Sequence, residues 1–290
     1  MKLVMLTDTL SERFGDKEAV RLIAGAGFDG YDFSMFSMTG KDSPYAADGA
    51  LDDARELRAY ADSLGIPCLQ GHTPFGRLTC REDAERMVKL QERALRFLHI
   101  LGCPIAVVHP GNNFTAEQNY EWCYRPLLRV AEELGMRIAA ENMWNYDSVN
   151  RISTPAACST GEDFCRHIDI AGSPYLVGCL DIGHAEMPGN DGAVRMIHAL
   201  GAQRLAALHV HDNNCLDDMH TIPYYPLSKI NWPPVLRALR DIGYRGNFTL
   251  EVNDGAEVDF LHRYPDELVP AVLKMLEQTG RYMIKQITLS

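Results

Sequence analysis

Leu127-Leu-Arg-Val-Ala-Glu-Glu-Leu-Gly-Met-Arg-Ile-Ala-Ala-Glu141 contains the structural unit from which the rest of the chain is built. Leu127, Leu128, Val130 and Ala131 recur with helical rather than alternating spacing. Gly135 stands where a helix ending at Leu134 needs a residue in the left-handed conformation. Arg137–Trp144 then reads as a strand, apolar on both faces, with the carboxylate of Glu141 at its end.

The same unit recurs on either side. Strand candidates are Leu3–Asp8, Gly30–Met35, Cys68–Phe75, Ile105–Gly111, Arg137–Trp144, Val177–His184, Leu205–Asn213 and Gly246–Asn253. Amphipathic stretches lie between them, among them Asp52–Leu64, Arg81–Leu101, Ala116–Leu134 and Asp191–Leu200. Gly27, Gly65, Gly102 and Gly243 repeat the capping position of Gly135. Strands apolar on both faces, each followed by a crossover helix, indicate a buried parallel sheet. Eight such units without a midway reversal predict an α/β chain, a single (β/α)8 TIM-barrel domain over residues 1–290 with its active site at the C-terminal strand ends. An open Rossmann sheet would want Gly-x-Gly-x-x-Gly after the first strand, and Asp8-Thr-Leu-Ser11 offers no glycine.

Composition narrows the function. The 290 residues carry 28 Lys+Arg against 39 Asp+Glu, a formal charge of −11, so bulk positive charge for nucleic acid is lacking. No apolar run approaches the roughly 18 residues of a membrane span. Met1–Leu10 reaches Thr7 and Asp8 after four apolar residues, too few for a signal-peptide core, and the expectation is a cytoplasmic, soluble protein. The eight cysteines include no Cys-x-x-Cys, and Cys68 and Cys179 sit in strand-like runs, so reduced structural thiols are expected.

Of ten histidines, six lie at or just past a strand end: His72, His109, His184, His209, His211 and His220. Glu141, Asp181, Asp212, Asp218 and Glu251 share those positions. A barrel brings these ends to one mouth, where several carboxylates repel unless a positive charge sits among them. Few Lys or Arg are nearby, and a divalent metal supplies that charge. Glu141, Asp181, His209 and Glu251 form a three-oxygen, one-nitrogen set suited to Mn, Co, Mg or Zn. His209 and His211, two apart on a strand, share a face, so one can ligate while the other orients it or touches substrate. Asp181 and His184, three apart, cross faces unless the strand ends at Gly183, which places His184 on the rim. Trp144 and Phe75 at two strand ends are read either as an apolar wall or as core packing.

Gly71-His72-Thr-Pro-Phe-Gly76, His109-Pro-Gly111, Glu141-Asn142, Leu180-Asp-Ile-Gly-His184, His209-Val-His-Asp-Asn213 and Leu250-Glu251 together resemble the xylose-isomerase-like barrel superfamily. It contains sugar and sugar-phosphate isomerases and epimerases and the endonuclease IV type apurinic endonucleases. The resemblance implies that Glu141, Asp181, His209 and Glu251 match the single metal site of the epimerases. It implies further that Glu141 and Glu251 are the catalytic acid/base pair. In the endonuclease branch, the positions of His72, His109, His184, Asp218 and His220 hold additional zinc. Here the chain reads Thr-Ile-Pro-Tyr-Tyr-Pro after His220, without the endonucleases' Gly-Glu-Gly, and the strand-end loops lack clustered Arg and Lys.

The resulting expectation is a metal-dependent sugar isomerase or epimerase that forms an enediolate on a ketose or related polyol-derived ketone. His72, His109, His184, His211, Asp218 and His220 bind substrate or a second metal. The alternatives are a multinuclear zinc phosphodiesterase of the endonuclease IV type, or a dehydratase using the same enolate. The expected partner is a neutral sugar rather than nucleic acid, because loops 213–220 and 253–257 carry one glycine and four acids where a phosphate site would want glycines. A homo-oligomer is left open.

Overall fold

The computed structural model describes residues 1–47, 49–252 and 261–289. Its strands are β1 (Lys2–Leu6), β2 (Gly30–Ser34), β3 (Cys68–His72), β4 (Ile105–Val108), β5 (Arg137–Glu141), β6 (Trp144–Asp147), β7 (Ile152–Pro155), β8 (Leu176–Asp181), β9 (Leu205–Val210) and β10 (Asn247–Leu250). Eight of them close a barrel in the order β1-β10-β9-β8-β5-β4-β3-β2, while β6 and β7 pair only with each other. Each barrel pair is parallel, as strands joined by crossover helices must be. Among the described residues no helix is long and apolar enough to cross a membrane.

The strands lack simple polar alternation because each face meets a different core. Ile105, Val107, Ala139, Val177, Cys179 and Ala207 pack together as one apolar cluster. Their neighbours Ala106, Val108, Ile138, Ala140, Leu180 and Leu208 belong to a second, larger cluster shared with the helices. A step of two along the first row leads from Val107 to His109, Ala139 to Glu141, Cys179 to Asp181 and Ala207 to His209. The barrel axis is therefore apolar in its depth and ionisable at its mouth.

All eight expected strands are present, but several stop earlier than expected. The third ends at His72 rather than Phe75, and the seventh at Val210 rather than Asn213. Asn253, the expected end of the last, lies outside the described residues. At the end of β5 the Asn142 side chain takes over from the ladder, accepting from Asp181 N at 2.7 Å and donating to Asp181 O at 2.9 Å. The expected helix Ala116–Leu134 is interrupted by a wide turn at Tyr120–Tyr124. Pro126 in the next turn has no N–H to continue the regular ladder. The left-handed glycines are as expected, with φ of 66° at Gly135 and 97° at Gly27.

Asp212, expected at the mouth, is instead an anchor beneath a loop. Its carboxylate accepts from Trp232 Nε1 at 2.6 Å and from the Tyr224 and Asn213 amides at 3.0 and 2.9 Å. The loop it ties down carries Asp218 and His220.

Candidate metal centre and active site

At the centre of the mouth, His209 Nδ1 lies 2.9 Å from Glu141 Oε1, 3.1 Å from Glu251 Oε2 and 3.9 Å from Asp181 Oδ2. One donor atom from each of these four residues falls within 4.8 Å of the others, and all four residues are buried. Two further groups flank this one. His109 and His72 approach Glu141 Oε2 at 2.9 and 3.4 Å, with their own Nε2 atoms 3.1 Å apart. On the other side, His184 and His220 each place Nε2 3.1 Å from Asp218 Oδ2. His211 stacks on His220 and reaches Asp181 Oδ1 with Nε2 at 3.0 Å. Of the eleven strand-end histidines and carboxylates singled out in the sequence, all but Asp212 converge here.

The donor set suits a cation. His72, His184 and His220 each donate Nδ1–H to a backbone carbonyl, of Thr73, Asn142 and Glu251 at 3.0, 2.9 and 3.1 Å. In a neutral ring that leaves Nε2 as a bare lone pair aimed at a carboxylate, which is repulsive unless a proton or metal ion lies between. Glu141 Oε2, Glu251 Oε2 and Asp218 Oδ1 are buried without a hydrogen bond. Among the described residues, every ion-pair partner of Glu141, Asp181, Asp218 and Glu251 is a histidine, never Lys or Arg.

The histidines and carboxylates also shift one another's titration. Burial alone would raise the Glu141 carboxyl, but His209 and His109 hold it well below its ordinary range. Glu251 and Asp218 are likewise held down against their own burial, by His209 and by His220 with His184. Burial would lower His184, yet Asp181 and Asp218 drive it well above its ordinary value. His220 is pushed up to about 9 against its burial, chiefly by Asp218. His109 goes the other way, lowered because burial outweighs Glu141.

His184 sits in the cluster rather than on the rim, for a local reason. Ile182–Ala185 forms one helical turn, and the Asp181 side chain caps it by accepting from His184 N at 2.6 Å. The turn swings the ring back to the side of Asp181. Gly183 leaves room for His211, whose ring a Cβ there would overlap. Gly183→Ala is therefore expected to destabilise the fold by about 1–3 kcal/mol and to displace His211. Thermal unfolding together with the metal affinity of the variant checks this.

Several contributors were not read from the sequence. The hairpin β6–β7 lines the mouth not only through Trp144, which the sequence offered, but through Asn145, Tyr146 and Thr154, which it did not, within a cavity of about 910 Å3. Trp144 Nε1 donates to Asp218 Oδ2 at 3.2 Å, and Phe36 and Phe75 meet edge to face across the opening, so the apolar wall exists. Asp32 and Gln70 lie under the cluster. Their only sequence signal is a polar side chain within a buried strand.

A family model described as a xylose isomerase-like TIM barrel matches residues 20–279. The chain belongs to that family. Its curated relatives include an uncharacterized protein of Methanocaldococcus jannaschii, 31% identical over 193 residues that span 62% of each chain. Among solved structures, this xylose isomerase-like barrel is similar to a D-tagatose 3-epimerase-like protein. There the TM-score is 0.73 at 21% identity, covering 99% of this chain and 100% of the other. It is also similar to the IolI protein crystallised with a zinc atom, at TM-score 0.67 and 17% identity, covering 99% and 98%. At such identities the likeness shows the fold.

Proposed function

We propose that this barrel is a divalent-metal-dependent sugar isomerase or epimerase acting beside the carbonyl of a ketose or related polyol-derived ketone. The observation that carries the reading is the meeting of two carboxylates from different strand ends, Glu141 and Glu251, at one His209 nitrogen in an aromatic-walled mouth. Glu141, Asp181, His209 and Glu251 would hold Mn, Co, Mg or Zn. Such an ion would supply Lewis acidity that lowers the cost of an enediolate.

Within that site Glu141 or Glu251 removes the proton from the carbon next to the carbonyl, and the same or the opposite carboxylate returns it. Return to the other face of that carbon epimerises, return to the neighbouring carbon isomerises, and loss of a β-hydroxyl dehydrates. The histidines that depress these carboxyls keep them ionised and ready as bases. Phe36, Phe75 and Trp144 offer flat apolar surface to a sugar face, and Arg77 is the single Lys or Arg among the described lining residues. That balance fits a neutral sugar.

The flanking groups favour a second reading. His72 with His109, and His184 with Asp218 and His220, would together complete a multinuclear zinc site of the endonuclease IV type. Elemental analysis of protein purified without added metal, paired with deuterium exchange of ketoses in D2O, decides. About one ion per chain, lost in Glu251→Ala, with deuterium entering a ketose, supports the isomerase. Roughly two or three zincs, nicking of abasic DNA and no ketose exchange would overturn it.

A further inference from the structure

One layer below the mouth, a buried polar chain runs across the barrel and ends at His209. Thr249 Oγ1 of β10 donates to Gln70 Oε1 of β3 at 3.1 Å, and Gln70 Nε2 donates to Asp32 Oδ2 of β2 at 2.7 Å. That same Asp32 oxygen lies 3.7 Å from His209 Nε2. All four residues have a relative exposure of 0%. His209 Nε2 and Asp32 Oδ1 make no hydrogen bond, and among the described residues Asp32 faces His209 as its ion-pair partner. A fully buried carboxylate left this way costs several kcal/mol in desolvation, where an apolar side chain would fill the space at less cost.

The geometry of the imidazole assigns the carboxylate a task. His209 presents Nδ1 to Glu141 and Glu251, so a cation bound among them takes the Nδ1 lone pair, and the ring hydrogen must then sit on Nε2. Nε2 points at Asp32. We propose that Asp32 is a positioning residue for the metal-binding His209, an inference that rests on the metal reading above. With a metal on Nδ1, a shortening of the 3.7 Å gap lets Asp32 Oδ2 accept Nε2–H and fix the ring's tautomer and tilt. Gln70, held at its far end by Thr249, stops the carboxylate from turning away. The Asp32 charge also adds to the negative potential that draws a divalent ion into the mouth.

The test uses the full-length chain, stripped of metal and reloaded with zinc. Zinc affinity is measured by chelator competition, and the imidazole N–H signals of the zinc-loaded protein by 15N NMR. Asp32→Asn keeps the size and one acceptor but removes the charge, and Gln70→Leu removes the clamp. Affinity is expected to fall about 10-fold or more in D32N and less in Q70L. The wild-type spectrum should show a downfield, slowly exchanging His209 Nε2–H, moved upfield in D32N, and the metal-free thermal midpoint of each variant, measured alongside, separates a general loss of stability from a loss of zinc affinity. Zinc binding within about twofold of wild type in both variants, or His209 ligating through Nε2, would overturn the inference. If Glu251→Ala loses zinc while D32N and Q70L keep it, the positioning role alone fails. If the wild-type chain takes up no zinc, manganese or cobalt, both readings fail.

Discussion

Glu141→Gln is expected to cut turnover by about 10²–10⁴-fold while the barrel stays folded. The substitution preserves shape and removes one charge from the most heavily shared carboxylate in the molecule. Glu141 contacts His209 through Oε1 and His109 through Oε2, both at 2.9 Å, with His72 at 3.4 Å and His184 at 3.7 Å. An amide cannot serve as a proton acceptor for a carbon acid, and it weakens the central and one flanking donor group together. Metal affinity should therefore fall as well, so turnover is to be measured at saturating metal, with metal content determined on the same sample. Loss of turnover with metal retained assigns the chemistry to Glu141. Near-normal turnover with metal retained removes Glu141 from the mechanism. Glu277→Gln is the control, because among the described residues that buried carboxylate serves Lys274 and Arg281 on the outer helix. It should alter stability and leave turnover near wild type.

The site was legible because a barrel strand converts position in sequence into position in space. Once Arg137–Glu141 is a strand whose depth is apolar, Glu141 has one place to be, and the same holds for Asp181 and His209. What escaped notice did so for identifiable reasons. The hairpin Trp144–Asp147 and Ile152–Pro155 has strands of only four residues in a largely polar stretch, which reads as loop. Its turn carries no glycine, and Arg151 takes the left-handed conformation at φ 55° in place of the usual Asn-Gly or Asp-Gly signal. Asp212 follows a strand end as Glu251 does, and only the position of Trp232, twenty residues later, shows that it faces a loop. His184 needed a helical turn that four residues cannot announce. Asp32 has no neighbour in sequence that explains it, because Gln70 and His209 come from two other strands and the Thr249 that holds Gln70 comes from a third.

Without metal the protein is expected to be most stable on the acid side of neutrality, and saturating zinc should reverse the trend. His220 is pushed up to about 9, from an unfolded value near 6.5, as Asp218 overcomes its burial. His184 and His209 move the same way, because Asp181 and Asp218, and Cys179, Glu251 and Glu141, outweigh burial. A group whose folded pKa is raised contributes stability that is full below its unfolded pKa and is lost as pH climbs through the folded one. For His220 alone this loss, between about pH 6.5 and 9, is on the order of 3 kcal/mol as an upper bound. The depressed carboxyls of Glu141, Glu251 and Asp218 act oppositely, contributing above their unfolded values of 4.5 for the glutamates and 3.8 for Asp218 and losing that contribution as pH falls. Both sets contribute fully only between about pH 4.5 and 6.5. A bound ion replaces those protons, so its affinity rises with pH as the histidines give theirs up. Calorimetric unfolding at about pH 5.5, 7.5 and 9, with and without zinc, should show the metal-free midpoint falling by several degrees on the alkaline side and the zinc-induced increment growing. His220→Gln should flatten the metal-free slope. A metal-free midpoint that rises from pH 6.5 to 9 would mean that the histidines are not protonated against the carboxylates, and the mouth would then need another source of positive charge.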